Sequence, residues 1–310
     1  MSGRERPDIP ASRRDRPDDP AAKAGHKTGG PPHRPAPNSP AWCSGPSPEL
    51  YKVYPIMKSA CFPAMALAAG LAFPCLAAVA SAQDAELRWT AGLGVVAESN
   101  PYLGADDDVE VTAIPYIAYE TDWLSVSPEG AVVALYRSEA IRLEALVAPR
   151  WQFAEPGDVS GLEDIERDIA VDGGFRVSAA SGPVTVSLAY LTDLSGKHEG
   201  QEVTLSVEAE TALTPRFAIS AEAGAYWRDN DLGTYMYGIY ADEVRPGRAA
   251  YTADDSVAPF MAAMGRYALT ERVAIVGAIE VEAIPDTGRD SPIIDADARY
   301  GAFLGLMVRF

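Results

Sequence analysis

Residues 296–310 read ADARYGAFLGLMVRF, and from residue 300 onward their side chains fall into two alternating rows. Alternation with a period of two is the pattern of a β-strand, because successive side chains point to opposite faces. One row contains Arg299 and Arg309 with glycines between them. The other row is apolar or aromatic throughout, and consists of Tyr300, Ala302, Leu304, Leu306, Val308 and Phe310. The stretch therefore predicts a strand with one fully apolar face.

The same alternation recurs over ten or more residues in segments such as 183–193, 201–212 and 272–283. These segments are longer than typical globular strands and match the nine to eleven residues that cross a bilayer at a tilt. A closed barrel is the one kind of sheet that satisfies all its backbone hydrogen bonds in lipid. We therefore predict an all-β fold, a closed antiparallel transmembrane β-barrel. A soluble β-sandwich with aromatic residues in its core is the alternative.

The alternation predicts about twelve strands, within a range of ten to fourteen. Two turns, 212–216 and 268–272, look alike and would both be periplasmic, but three further turns cannot separate two turns on the same side of a barrel. Either 233–240 belongs to a long loop and 122–136 is two strands around Ser127-Pro128-Glu129-Gly130, or one of the two turns faces outward. The predicted strands are 87–97, 109–120, 122–136, 139–153, 168–180, 183–194, 200–212, 215–228, 233–240, 257–269, 272–284 and 297–310.

The N-terminal part of the chain differs in composition from the rest. Residues 1–56 are rich in Arg, Pro and Gly, so we expect a disordered or wrongly assigned upstream extension. Residues 57–82 combine a basic start, an apolar run and a small-residue ending, which predicts a signal peptide. A transmembrane helix is the alternative there, although Pro63 and Pro74 interrupt the run. The predicted barrel domain is residues 83–310.

Charge and cysteine content exclude several classes of function. The formal net charge is −18, and cleavage after Ala82 would remove more basic than acidic residues. A strongly acidic chain repels phosphate backbones, so we expect no nucleic-acid partner. All three cysteines precede residue 83, which excludes a disulfide, a thiol nucleophile or a cysteine metal site in the predicted barrel.

Charged residues occupy the polar rows of the predicted strands and would face the barrel interior. Charges buried there must be paired or hydrated. A water-filled interior would prefer cations because carboxylates are in excess, whereas a packed interior would form a salt-bridge network and conduct nothing. The candidate interior charges are Arg142, Arg150, Glu202, Glu208, Glu210, Glu222, Glu280, Glu282, Arg299 and Arg309.

Two other groups of residues contain side chains that can carry chemistry. Ser195, His198 and Glu199 are close in sequence, but a triad needs a base held against its nucleophile by a third group, so we expect a turn histidine and no catalytic residues. Acidic clusters at 106–108, 229–231 and 254–255 could bind hard cations, yet they lack EF-hand spacing. We expect no metal site and no cofactor.

The chain resembles the MltA-interacting protein/OmpV (MipA/OmpV) family of Gram-negative outer-membrane proteins over essentially all of residues 85–310. The resemblance rests on several short pieces in a particular order. They are Ser99-Asn100-Pro101-Tyr102-Leu103-Gly104, Pro115-Tyr116-Ile117-Ala118-Tyr119-Glu120, Asp193-Leu194-Ser195-Gly196-Lys197-His198-Glu199-Gly200, Tyr235-Met236-Tyr237-Gly238-Ile239, Gly247-Arg248-Ala249-Ala250-Tyr251-Thr252 and Ser291-Pro292-Ile293. The chain departs from the family pattern at Lys197-His198-Glu199, where Gly-His-Gly would be expected.

The resemblance implies a barrel in the cell outer membrane, in contact with lipid and lipopolysaccharide and without enzymatic activity. It implies a scaffold for a lytic transglycosylase and a murein synthase, or a role in envelope integrity. A small cation-preferring diffusion channel is the alternative. Outer-membrane barrels present a terminal strand ending in Phe to the barrel-assembly machinery, so the resemblance implies an assembly signal made of Tyr300, Leu304, Leu306, Val308 and Phe310.

Overall fold

A computed structural model describes residues 88–151 and 154–310. The predicted upstream extension, residues 1–56, and the predicted signal peptide, residues 57–82, lie outside the described residues.

Twelve antiparallel strands form one closed barrel, as predicted. Each strand pairs with its neighbours in sequence, and β1 also pairs with β12, which closes the sheet. The strands are β1 (Trp89–Ser99), β2 (Val109–Glu120), β3 (Leu124–Ser127), β4 (Gly130–Arg137), β5 (Ile141–Arg150), β6 (Ala170–Ser181), β7 (Val184–Asp193), β8 (Gln201–Thr214), β9 (Phe217–Arg228), β10 (Ser256–Ala268), β11 (Val273–Ala283) and β12 (Ala298–Arg309).

Two short α-helices lie in the loops between strands. Helix α1 (Asn230–Tyr237) follows β9, and helix α2 (Asp286–Arg289) follows β11. Single 3₁₀ turns are formed by Pro156–Asp158 and Ala241–Glu243. No helix in the described part of the chain is both long enough and apolar enough to span a membrane.

Two of the twelve predicted strands are wrong, although the number is right. Segment 122–136 is not one strand, because Gly130 turns the chain with a φ of 127° and separates β3 from β4. Residues 233–240 are not a strand, since most of them belong to helix α1. Of the two alternatives for the matching turns at 212–216 and 268–272, the first is confirmed. With α1 in a loop, both turns lie at the same end of the barrel.

The alternating rows separate the outer and inner surfaces of the wall. In β12, Leu304 is 62% exposed and Leu306 is 47% exposed, whereas Phe303 and Met307, on the other row, are buried. The same apolar-out pattern appears at Val111 of β2 and Ile279 of β11. An apolar outer surface on a barrel whose first and last strands pair is suited to lipid and not to water. The soluble β-sandwich alternative is therefore wrong.

The two ends of the barrel differ. At one end, here called the turn end, the strands are joined by short turns, and Trp89 exchanges backbone hydrogen bonds of 3.1 and 2.9 Å with Phe310. At the other end, the loop end, five longer connections join the strands. They are residues 100–108, 151–169, 194–200, 229–255 and 284–297. Outer-membrane barrels place short turns toward the periplasm and long loops outside, so the family resemblance implies that the turn end is periplasmic.

Candidate functional site in the barrel lumen

The loops at the loop end pack together into a hydrophobic cluster, here called the loop cap. Its centre is formed by Ile165, Leu232 and Ile284, which are almost completely buried. A cluster of this kind is stabilised by removal of apolar surface from water. The loop cap therefore has a core of its own, built from the loops 100–108, 151–169, 229–255 and 284–297. Its buried members are Tyr102, Val159, Leu162, Ile165, Leu232, Tyr235, Met236, Tyr237, Ile239, Ile284, Ile293 and Ile294.

Helix α1 begins where Asp229 accepts a hydrogen bond of 3.0 Å from the backbone N–H of Leu232. Asp255 accepts a second bond of 2.9 Å, from the backbone N–H of Asn230. Carboxylates at a helix start satisfy free N–H groups and the positive end of the helix dipole. Two of the acidic clusters named above as possible cation ligands, 229–231 and 254–255, thus hold the helix in place within the loop cap.

Arg167 joins two loops inside the loop cap. Its guanidinium donates to the backbone carbonyl of Tyr235 at 2.8 Å and to that of Gly238 at 3.0 Å. It also forms a bidentate ion pair with the buried carboxylate of Glu243 and lies 4.9 Å from the ring centre of Tyr240. A planar guanidinium can serve several acceptors at once, which suits Arg to this position.

Arg248 makes a second bridge between the same two loops. It donates to the carbonyl of Gly161 at 3.0 Å and to that of Glu243 at 3.0 Å. It also binds the carboxylate of Asp164 at 2.6 Å. This hydrogen bond lowers the pKa of the Asp164 carboxyl below its usual value, so the ion pair persists at neutral pH.

Beneath the loop cap, ion pairs run around the lumen along the loop end of the wall. Arg150 binds Asp172 at 2.6 Å and Glu202 at 3.4 Å. Arg228 binds Glu202 at 2.8 Å and also pairs with Glu282. Glu282 lies opposite Arg299 in the β11–β12 ladder, and Arg299 pairs with Glu98 of β1. We call these seven residues the charge ring: Glu98, Arg150, Asp172, Glu202, Arg228, Glu282 and Arg299.

The candidate interior charges from the sequence occupy three levels of the lumen. Four of them, Arg150, Glu202, Glu282 and Arg299, belong to the charge ring. Glu222 and Glu280 line a chamber at mid-height, and Glu208 lies opposite Glu222 in the β8–β9 ladder, with Glu210 next to it on the inward row. Arg142 and Arg309 line a cavity at the turn end.

Several charged residues at these levels were not predicted, namely Glu98, Asp172, Arg176 and Arg228. Arg228 shares the inward row of Glu222, and Arg176 pairs at 2.8 Å with Glu144, which alternates in the sequence with the predicted interior residues Arg142 and Arg150. Extending each polar row by a few residues would have found them. The loop arginines Arg167 and Arg248 carry no such signal, because their main partners are carbonyl groups of distant loops.

Cavities lie at two levels of the lumen. A cavity of about 550 Å³ lies at the turn end, between 120–125 and 137–144. A smaller chamber of about 60 Å³ lies at mid-height. Beside it, Phe303 and Met307 of β12 fill the space over the inward glycines of β1. A Cβ on Gly94 would lie 2.3 Å from the Phe303 ring, so these glycines make the filling possible.

His198 lies between the loop cap and the charge ring and is buried. Its Nε2 lies 2.8 Å from Asp172, and its Nδ1 accepts a hydrogen bond of 3.0 Å from the backbone N–H of Gly200. These contacts fix the tautomer with the proton on Nε2. Ser195 donates its hydroxyl hydrogen to Asp193, at 2.7 Å, and not to His198. Both ring nitrogens are occupied, so the ring is not placed as a base for this serine.

The group formed by Asp172, Asp193 and His198 has metal-ligating atoms within 4.8 Å of one another. Its atoms nevertheless have other partners. Asp193 accepts five hydrogen bonds, four of them from the backbone N–H groups of residues 195, 196, 198 and 199. Asp172 is bound by Arg150 as well as by His198. The group is therefore suited to ordering the loop 194–200 and not to binding a cation.

Replacement of His198 by Ala is expected to loosen the loop cap without unfolding the barrel. The substitution leaves the buried Asp172 carboxylate and the Gly200 N–H each without one partner, a cost of about 1–3 kcal/mol. Protease cleavage within 194–200 should accelerate, while the unboiled protein should still migrate faster than the boiled protein on a gel. Unchanged cleavage would contradict the role assigned to this ring.

The proposed assembly signal lies on the lipid-facing row of β12. Tyr300, Leu304, Leu306, Val308 and Phe310 are all exposed. Deletion of Phe310 removes the two backbone hydrogen bonds to Trp89 at the end of the seam but no interior side chain. We expect much lower outer-membrane levels of this truncation, with nearly normal thermal stability of the fraction that folds. Normal levels would refute the assembly role.

Comparison with known proteins gives a family match over most of the chain. Residues 91–310 match the family of the MltA-interacting protein MipA. The chain is 26% identical over 238 residues to "Putative outer membrane protein YiaT" of Escherichia coli strain K12, covering 75% of this chain and 94% of that protein. The protein of the same name from Escherichia coli O157:H7 is 25% identical over 236 residues, with the same coverage.

Among solved structures, an outer membrane channel from Pseudomonas putida F1 matches with a TM-score of 0.40 and 8% identity, covering 73% of this chain and 97% of that one. The family match extends over well more than half of the chain and coincides with the described barrel. The protein is an outer-membrane β-barrel and belongs to the family described by the MltA-interacting protein MipA.

Proposed function

We propose that this barrel is a non-conducting scaffold in the outer membrane that holds murein-processing enzymes at its turn end. The observation that carries the proposal is the closed loop end, where the loop cap lies over the charge ring. A diffusion channel needs a hydrated path along its axis. Packed loops above a network of paired charges offer no such path, so a structural role is favoured.

The absence of enzymatic activity is part of the proposal. Catalysis of acyl transfer needs a nucleophile within hydrogen-bond reach of its base. The serine and the histidine nearest to such an arrangement, Ser195 and His198, each bind an aspartate instead. We propose that this region orders a loop.

The turn end is the surface offered to periplasmic partners. Its short turns face the periplasm in the orientation described above. Glu139, in the turn between β4 and β5, is exposed there and borders the cavity of about 550 Å³. The family is named for interaction with MltA, and we propose a lytic transglycosylase together with a murein synthase as partners. Lipid on the outer wall, lipopolysaccharide at the loop end and the barrel-assembly machinery complete the proposed contacts.

Photo-crosslinking from the two ends of the barrel tests this function. Benzoylphenylalanine at position 139 is expected to crosslink to a lytic transglycosylase or a murein synthase in intact cells. At Asp242, an exposed loop-end residue, it serves as the matched control and should give no crosslink to either enzyme. Crosslinks from position 242 alone, or none to murein enzymes from any turn, would contradict the proposal.

A cation-preferring channel is the second candidate, favoured by the excess of carboxylates in the lumen. Glu208, Glu222 and Glu280 lie on inward rows below the charge ring. Conduction would require the loop cap to open. Electrical measurement separates the two candidates, and its expected result is given in the Discussion.

A further inference from the structure

The barrel wall is incomplete between β2 and β5. Strand β2 pairs with β1 along its whole length, from Trp89↔Tyr119 to Ser99↔Val109. On its other side it pairs with β3 only at Tyr119↔Val126 and Glu120↔Ser125. Within the described residues, 109–118 therefore has no strand partner on that side.

The opposite margin of this opening is the part of β5 nearest the loop end. The ladder between β4 and β5 ends at Ala131↔Val147, so Ala148 and Pro149 have no strand partner on the same side within the described residues. The short hairpin β3–β4 fills the wall only near the turn end. Three strand spacings separate β2 from β5 in the sheet order, which corresponds to about 14 Å at the usual distance between strands.

The direction of each backbone group at these margins follows from the ladder pattern. In an antiparallel pair, the N–H and C=O groups of alternate residues point to alternate sides. Glu120 donates its N–H to Arg88 O at 2.8 Å, so the even-numbered residues of β2 face β1. The odd-numbered residues, Pro115 among them, face the opening.

The same reasoning applies to β5. Ala180 donates its N–H to Ala140 O at 2.8 Å, and this register directs the even-numbered residues of β5 toward β6. Pro149 is odd-numbered, and it therefore faces the opening from the other margin. Each margin thus carries a proline at a position whose N–H would point into the opening.

Prolines within strands occur at unpaired edges, because they cannot donate to a ladder. Pro259 of β10 follows the rule, since the β10–β11 ladder begins one residue later, at Phe260↔Glu282. Prolines also protect an edge from adding a further strand. Pro115 and Pro149 therefore indicate an opening that is kept open and not a site where another strand is added.

The margins offer more hydrogen-bond acceptors than donors. The opening-facing carbonyls are those of Val109, Val111, Ala113, Pro115, Ile117 and Pro149, while the prolines leave only four N–H groups. Behind the margins, the mid-height chamber is lined by Ser127, by the carboxylates of Glu129, Glu222 and Glu280, and by Arg176, whose charge is paired with Glu144. Polar backbone at membrane depth is tolerated only where it meets protein or water, so a polar occupant belongs at these margins.

We propose that this lateral opening admits a single-chain amphiphile with a primary ammonium head group from the bilayer. An ammonium group has three donors and no acceptor, which matches a margin rich in carbonyls and a chamber rich in carboxylates. The alkyl chain stays among the exposed apolar side chains Val111 and Ile117 on the outer row of β2. This ligand site goes beyond the scaffold function and does not depend on it.

Single-cysteine variants in proteoliposomes test the opening. The described residues contain no cysteine, so Ser127→Cys introduces one thiol in the chamber, and Ser220→Cys, on an inward row paired on both sides, is the matched control. A dodecyl maleimide supplied in the bilayer should label Ser127→Cys at least several-fold faster than Ser220→Cys. Equal labelling, or faster labelling of Ser127→Cys by a membrane-impermeant sulfonated maleimide, would overturn the lateral route.

Competition tests the head group. Dodecylammonium should slow labelling of Ser127→Cys about tenfold relative to dodecyl sulfate or dodecanol, a preference of about 1.4 kcal/mol. Glu129→Gln combined with Ser127→Cys should abolish the protection by dodecylammonium. Equal protection by dodecyl sulfate would overturn the ammonium assignment. Heat-modifiable gel migration of each variant confirms that a folded barrel is being compared, and an additional Glu222→Gln variant replaces Glu129→Gln if the latter does not fold.

Discussion

Replacement of Arg167 by Met is expected to disrupt the loop cap while the barrel wall stays folded. Met retains much of the volume of the side chain but removes all the donors to Tyr235 O, Gly238 O and the Glu243 carboxylate. Loss of one partner from a buried ion pair costs about 3–5 kcal/mol, because the remaining charge is left without compensation. Limited proteolysis of the reconstituted protein should show much faster cleavage within 151–169 and 229–255.

Arg245→Met is the matched control for this experiment. Arg245 also pairs with an aspartate of the loop cap, Asp164, but half of its side chain is exposed. Exposed ion pairs contribute about 0–1 kcal/mol, so cleavage should hardly change. Similar protection of the loops in the Arg167→Met and wild-type proteins would show that the loop cap does not depend on this bridge.

Replacement of Arg228 by Met is expected to have the second large effect, at the level of the charge ring. Arg228 lies between the buried carboxylates of Glu202 and Glu282 and 4.6 Å from the ring centre of Tyr226. Its loss leaves the Glu282 carboxylate without its ion-pair partner and leaves Glu202 with only the longer pair to Arg150, again a cost of about 3–5 kcal/mol. The temperature at which the fast-migrating folded band disappears on a gel should fall markedly.

Two further variants separate loss of pairing from loss of packing. Arg228→Met combined with Glu282→Gln removes the carboxylate charge that the loss of Arg228 leaves without an ion pair, so the transition temperature should recover in part. Arg272→Met changes an exposed arginine in a turn and should leave it unchanged. A double variant no more stable than Arg228→Met alone would argue against the unpaired carboxylate as the cause.

The barrel wall could be predicted from the sequence because strand geometry imposes a period of two on any side chain that must choose between lipid and lumen. In β12 this rule placed Leu304 outside and Phe303 inside. The rule failed at 233–240, where helix α1 is buried on nearly all its sides and shows no polar stripe. It also failed at 122–136, because alternation alone does not reveal the turn at Gly130. The turn residues, and not the alternation, mark the boundary between the two strands there.

The ion pairs of the lumen were less predictable than the wall. Alternating rows show which charged residues face inward but not which of them pair with each other. Arg299 and Glu98 are 201 residues apart and meet only because β12 closes on β1. The loop cap was missed altogether. Arg167 and Arg248 bind backbone carbonyls that every residue carries, so no residue type marks their partners. Such contacts depend on how the loops fold over the barrel.

Single-channel recording in planar bilayers tests most directly whether the lumen is closed to ions. The wild-type protein is expected to give no defined conductance steps, because the loop cap and the charge ring close the lumen. Arg167→Met, recorded under the same conditions, should give cation-preferring steps as the loops separate. Stable, well-defined conductance steps from the wild-type protein would contradict a lumen closed to ions and would favour the diffusion channel.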